Sequence, residues 1–168
     1  KGVIPYSDCY STGTSESGWI VTDPKDPNIV YSGSIGSSPG GGGNLQRYDH
    51  KTEQVRMITV WPVLNSGKGA VEMKYRFNWT YPIVISPHDS KTLYVAGNIV
   101  FKSTNEGQSW EEISPDLTRN DQAKQKISGG IFSKVTSGAE TYCTIFSFVE
   151  SPFKKGIMWA GSDDGLIH

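Results

Sequence analysis

Hydrolytic chemistry on a sugar or an acyl group calls for carboxylates or a nucleophile held face to face, and such residues are sparse in this 168-residue sequence. Asp163 and Asp164 are adjacent. Neighbouring side chains on a strand point to opposite faces, so the two make a poor acid–base pair and read more simply as a turn before a further strand. Asp8 lies in Tyr6-Ser-Asp-Cys-Tyr10, where a short acid commonly accepts bonds within a loop. These three are the candidate catalytic carboxylates. Asp23 and Asp26 belong to an Asp-Pro-Lys-Asp-Pro turn, and Glu72, near Lys68, Lys74 and Arg76, reads as part of a solvated ion pair. His50, His88 and His168 are scattered among turns, with no metal-ligand spacing and no Ser-His-Asp set. Bound Ca²⁺ beside Asp163 and Asp164 is a minor alternative. No metal site and no cofactor is expected. Cys9 and Cys143 form no CxxC, and read either as one disulfide or as two small buried apolar residues.

Aromatic chemistry is denser. Tyr75-Arg-Phe-Asn-Trp-Thr-Tyr81 holds four aromatics and an arginine in seven positions. Tyr75, Arg76, Trp79 and Tyr81 are therefore candidate binding residues, since sugars and peptides stack on such surfaces. The competing reading puts alternate members into the core of a strand. Asn78-Trp-Thr80 also matches a glycosylation acceptor, which counts only in a eukaryotic secretory setting. Gly40 to Gly43 could cradle a phosphate, but no Gly-Lys-Ser/Thr follows, so the segment reads as a loop.

The elements that must position these residues repeat along the chain. Trp19-Ile-Val-Thr-Asp-Pro24 leads to Ile29-Val-Tyr-Ser-Gly33, Ile83-Val-Ile-Ser-Pro87 to Leu93-Tyr-Val-Ala-Gly97, and Phe146-Ser-Phe-Val-Glu-Ser-Pro152 to Ile157-Met-Trp-Ala-Gly161. Each reads as strand, Pro-started turn and strand. The closing glycines Gly33, Gly97 and Gly161 stand 64 residues apart. A fixed period built on a hairpin points to a propeller or array. Outer strands follow in the first two units, over Leu45–Trp61 and Val100–Ser114, with units near 19–63, 81–114 and 144–168. The polar stretch 114–140 reads as a rim loop, with one helical turn near 121–126.

Ser103-Thr-Asn-Glu-Gly-Gln-Ser-Trp110 resembles the Asp-box, S-x-D-x-G-x-[TS]-W, with Asn105 where that motif has Asp. Ser103, Asn105, Gly107 and Trp110 would be its structural residues: the short side chain bonds loop N–H groups, the glycine takes a positive φ, and the indole packs between sheets. The sequence from about Trp19 to His168 thus resembles the Asp-box (BNR) propeller superfamily. Asp23 to Tyr31 and Gly161 to His168 are most similar to bacterial glycosyl hydrolase-like and sortilin-like members. The resemblance implies an all-β fold of about three propeller blades. Xyloglucanase-type members carry a catalytic Asp just after the first Val-Tyr strand, where this sequence has Ser32-Gly-Ser-Ile-Gly36. Sialidase-type members use an arginine triad, and Arg47, Arg56, Arg76 and Arg119 lack that family's site marker.

A net charge of -1 with no run of one sign excludes the basic footprint of a nucleic-acid binder, and no apolar stretch is long enough to span a bilayer. Lys1-Gly-Val-Ile-Pro5 has no signal-peptide pattern, yet an extracellular or periplasmic setting is expected. The expected function is a non-catalytic binding segment presenting loops to a glycan, peptide or protein. The alternative is part of a sialidase- or xyloglucanase-type glycoside hydrolase. Three inner hairpins with only two outer ones also predict partners for the open faces: remaining blades of a longer propeller, or another copy of the chain.

Overall fold

A computed structural model describes residues 2–13, 18–33, 44–127, 129, 132, 138 and 140–168. Most of the Gly-rich loop around Gly40 lies outside the described residues. Among the described residues the fold is all-β, with three antiparallel sheets and three short 3-10 turns at Tyr6–Asp8, Ala70–Glu72 and Gln122–Lys124. The first sheet is a meander of β1 (Ile20–Thr22), β2 (Ile29–Gly33), β3 (Leu45–Asp49) and β4 (Gln54–Met57). The second repeats it with β5 (Ile83–Ser86), β6 (Asp89–Ala96), β7 (Val100–Ser103) and β8 (Glu111–Glu112). The third is the hairpin of β9 (Ile145–Glu150) and β10 (Met158–Ser162), to which Ile167 adds a bridge opposite Gly161. No helix among the described residues is long and apolar enough to cross a membrane.

Short acids close the turns. Asp23 accepts the N–H of Lys25, and Asp26 accepts both the N–H and the side-chain amide of Asn28. Asp89 does the same for Lys91 and Thr92 in the second sheet. Each replaces a backbone turn bond with a side-chain one, which suits Asp in a hairpin.

Strand alternation builds the core in two layers. On β6, Leu93 and Val95 enter one apolar cluster with Ile29, Tyr31 and Leu45 of the first sheet. Tyr94 and Ala96, on the opposite face, enter a second cluster with Ile145, Phe148 and Ala160 of the third. The second sheet is therefore covered on both sides, and β6 from Leu93 to Ala96 is fully buried. Each fully buried aliphatic or aromatic side chain contributes about 1.5–3 kcal/mol, so these two clusters hold the sheets together.

A buried carboxylate fastens the second contact. Glu150 is 2% exposed. It accepts the Ser86 hydroxyl at 2.5 Å and the Gly156 N–H at 3.0 Å. The Tyr94 hydroxyl, pushed up to about 12 by burial and by the nearby Glu150 charge, is also its partner. Buried polar groups are tolerated where donors meet them in this way.

Equal glycine spacing conceals a shift in the side-chain faces. Tyr31 lies two residues before Gly33 and Trp159 two before Gly161, whereas Tyr94 lies three before Gly97. Since side chains alternate, it is Tyr31, Tyr94 and Trp159 that occupy equivalent faces: they stand opposite Val21, Val84 and Val149 respectively.

Candidate functional site

The segment 75–81 is not a strand, and most of its rings face inward. Tyr75, Arg76, Phe77 and Tyr81 are buried, and Trp79 is half-buried against the same core. For Tyr75, Arg76 and Tyr81 this replaces the expected binding surface with core packing, while Trp79 keeps part of its surface exposed. The reason is local: the chain crossing from the first sheet to the second must fill the wedge between them, and rings fill it best. Tyr75 meets Trp61 and Phe101 edge-on, and Phe77 meets Tyr81 edge-on. Burial drives the Tyr81 hydroxyl strongly upward, and it donates to the Asn44 carbonyl. Gly97 lies so close that an added Cβ would stand 2.4 Å from the Arg76 carbonyl oxygen.

Arg76 is a structural cation. Its guanidinium meets Asp116 at 2.7 Å, Thr118 Oγ1 at 3.0 Å and the Cys143 carbonyl at 3.1 Å. Asn98 completes the cluster, accepting the Arg76 N–H and donating to Asp116 at 2.9 Å. Burial alone would raise the Asp116 carboxyl, but bonds from Thr118, Asn98 and Arg76 outweigh it and hold it below the usual carboxylate value. The cluster ties the 58–82 crossing, the β6–β7 turn and the 114–144 segment together. Arg76 is therefore not paired with Glu72, which instead accepts the Gly69 N–H and closes the Ala70–Glu72 turn.

The three candidate carboxylates are dispersed. Asp8 sits exposed in the first 3-10 turn. Asp163 accepts the N–H and hydroxyl of Thr144, at 3.0 and 2.8 Å. Asp164 accepts the Arg119 N–H at 2.7 Å and the Ser162 hydroxyl at 2.5 Å. Burial would raise Asp164, but these bonds and the Cys143 thiol lower it on balance. Both therefore act as turn acceptors pinning β10 to its neighbours. Cys143 is buried at a φ of 63°, and burial pushes its thiol up. Cys9 is exposed, and both cysteines are free. Among the described residues no group of three or more His, Cys, Asp or Glu is placed to hold a metal ion.

The turn from Ser103 to Trp110 is a closed polar loop. Ser103 Oγ accepts the Gly107 N–H at 2.9 Å and donates to Asn105 Oδ1 at 2.9 Å. Asn105 Oδ1 also accepts the Ser109 N–H at 3.0 Å, while its Nδ2 donates to Ser109 Oγ. Both Glu106 and Gly107 take positive φ, 59° and 79°. Trp110 is half-buried rather than largely buried, because the turn packs at the edge of the sheet contact. Its Nε1 donates to the Ile58 carbonyl at 3.0 Å. Glu106 reaches across to Arg47 at 3.1 Å, and Arg56 donates to the Glu106 carbonyl.

Beside this turn opens a cavity of about 500 Å³ between the end of β4 and the second sheet. Pro62, Val63, Leu64 and Trp110 supply apolar walls, and Asn44, Thr59 and Gln108 supply polar groups. Among the described residues, no ionisable side chain lines it. Sequence reasoning missed this cavity because Pro62 to Leu64 carry no motif; the one signal was the Trp110 indole.

Arg76→Met, which leaves Asp116 without its cation, should cost about 3–5 kcal/mol at neutral pH. Because the folded Asp116 value lies below the unfolded one of about 3.9, its stabilisation is complete above that value and is lost as pH falls through the folded value. Asp116→Asn should therefore flatten part of the acid loss in melts from pH 5 to pH 2, and an unchanged acid slope would remove Asp116 from this role. Trp110→Ala should cost about 2–3 kcal/mol, less than the ~3–5 of a fully buried Trp. Asn105→Asp keeps the acceptor oxygen and should cost under about 1 kcal/mol. Equal losses in thermal melts would contradict the roles given to these two side chains.

No family model and no curated protein matches the sequence. Among solved structures, the fold is similar to the crystal structure of a GH74 xyloglucanase from Xanthomonas campestris, with 15% identity and a TM-score of 0.48. That match covers 83% of this chain and 18% of the length of the xyloglucanase chain.

Proposed function

We propose that the chain is a run of Asp-box propeller blades acting as a non-catalytic binding segment, and that it takes an uncharged, partly apolar glycan in the cavity beside Trp110. The lining carries this reading. An apolar wall with an indole, two carboxamides and a hydroxyl, and no ionisable group, matches a neutral ligand with hydroxyls on its edges and C–H groups on its faces. The cavity volume falls within the ~300–1,000 Å³ usual for ligand sites. Blades are supported by the two four-stranded meanders, stacked face to face with a third hairpin, and by the bonding of the Ser103–Trp110 turn. The hydrolase alternative needs two carboxyl groups facing across a bond, and Asp163 and Asp164 are each spent on backbone and hydroxyl donors.

Calorimetric titration of the chain with neutral β-glucan oligosaccharides, beside an uncharged apolar peptide as control, tests this. Saturable binding of the oligosaccharide is expected, weakened about tenfold, or ~1.4 kcal/mol, by Gln108→Ala or Leu64→Ala, with no new reducing ends. Binding of the peptide alone, no binding at all, or release of reducing ends would overturn it.

A further inference from the structure

The sequence holds three methionines, and the fold gives them different surroundings. Met73 is buried, and Met158 is half-buried against the cluster between the second and third sheets. Met57, at the end of β4, is 54% exposed and lines the cavity beside Trp110. Its thioether is also held in place. Gln46 stands directly opposite on β3, and its Nε2 donates to Met57 Sδ at 3.1 Å. The Gln46 carboxamide is braced in turn by Gly13, where an added Cβ would stand 2.7 Å from Gln46 Oε1. A thioether sulfur carries two lone pairs and is a weak acceptor. Here one pair is committed to the amide, and the other is left to react.

We propose that Met57 is an oxidation site that controls the cavity, converted by hydrogen peroxide to one sulfoxide epimer whose oxygen makes the apolar wall polar. The free lone pair attacks a peroxide oxygen, and an S–O bond forms as the O–O bond breaks. The displaced hydroxide takes the proton of the new S–OH and leaves as water. Sulfur is oxidised by two electrons, and the peroxide is reduced by two. Oxygen is added on the side away from the Gln46 amide, so the two epimers, formed alike at a freely turning methionine, are formed unequally here. The product replaces a flexible apolar side chain by a polar, chiral one. A ligand packed on the thioether wall strips that oxygen of its water, and a polar group buried without a donor costs free energy. The effect on binding rests on the glycan reading above; the oxidation does not.

Peptide mapping by mass spectrometry after dilute hydrogen peroxide, followed by calorimetric titration with neutral β-glucan oligosaccharides, tests it on the 168-residue chain. Cys9→Ser is the background, because that exposed thiol also reacts. Met57 should gain one oxygen at least ~10-fold faster than Met73 or Met158. One epimer should dominate, read by reduction with only one of the two epimer-specific methionine sulfoxide reductases, and Gln46→Ala should give both alike. The oxidised chain should keep its circular dichroism and bind the oligosaccharide about tenfold more weakly. Met57→Leu should bind equally before and after peroxide. Equal oxidation of the three methionines overturns the site, and an even epimer mixture with Gln46 in place overturns the part given to that residue. Undiminished binding by the oxidised chain, or an equal loss in Met57→Leu, overturns its control of the cavity. If the untreated chain binds no oligosaccharide, the proposed function and this control both fall, and the mapping alone decides whether Met57 is the oxidation site.

Discussion

A strand buried on both faces must satisfy two neighbours with alternate residues, and β6 is that strand. Leu93 and Val95 belong to one sheet contact, Tyr94 and Ala96 to the other. A one-residue slip would exchange the two sets, setting the Tyr94 ring where Val95 fits and taking the Tyr94 hydroxyl away from Glu150. The register of β6 against β5 and β7 therefore governs both contacts together. The close pass at Gly97, where the chain leaves β6, fixes the end of that register: no side chain fits there against Arg76.

Around this apolar frame, polar groups do the fastening. Arg76 and Asp116 join segments 40 residues apart, and Asn98 bridges them from the β6–β7 turn. Glu150 and Ser86 join the second and third sheets. Asp163 and Asp164 anchor β10 to Thr144 and Arg119. Each is a carboxylate taken up by specific donors, and Glu150 is buried among them, which makes it a poor reagent and a good clamp. The concavity beside the Ser103–Trp110 turn, lined among the described residues by no ionisable side chain, is chemically different from these clamps, and for that reason a ligand role is proposed there.

Much of the fold is legible in the sequence. The hairpins announce themselves through β-branched runs and Pro-Asp turns, and the Ser103–Trp110 spacing describes its own hydrogen bonds. Four features were not legible, for separate reasons. The ring-rich segment 75–81 has no period, and aromatic residues serve equally well in a core or on a binding face; only the wedge between sheets decides, and that is a tertiary fact. Arg76 had Glu72 four residues away as the obvious partner, yet pairs with Asp116, which local spacing cannot reveal. Equal glycine spacing is also silent about faces, and the extra residue between Tyr94 and Gly97 moves the aromatic to the other parity. The cavity walls, Pro62 to Leu64, gain meaning only beside Trp110.

Amide hydrogen exchange, resolved by residue, tests the central role of β6 most directly. Amides buried under two packed layers open only with large-scale unfolding, while edge strands exchange through local fraying. Leu93 to Ala96 should be the slowest-exchanging group of the chain, slower than β4, whose four residues are all exposed. Exchange of Leu93 to Ala96 as fast as that of Gln54 to Met57 would contradict the double burial from which the rest of the structure follows.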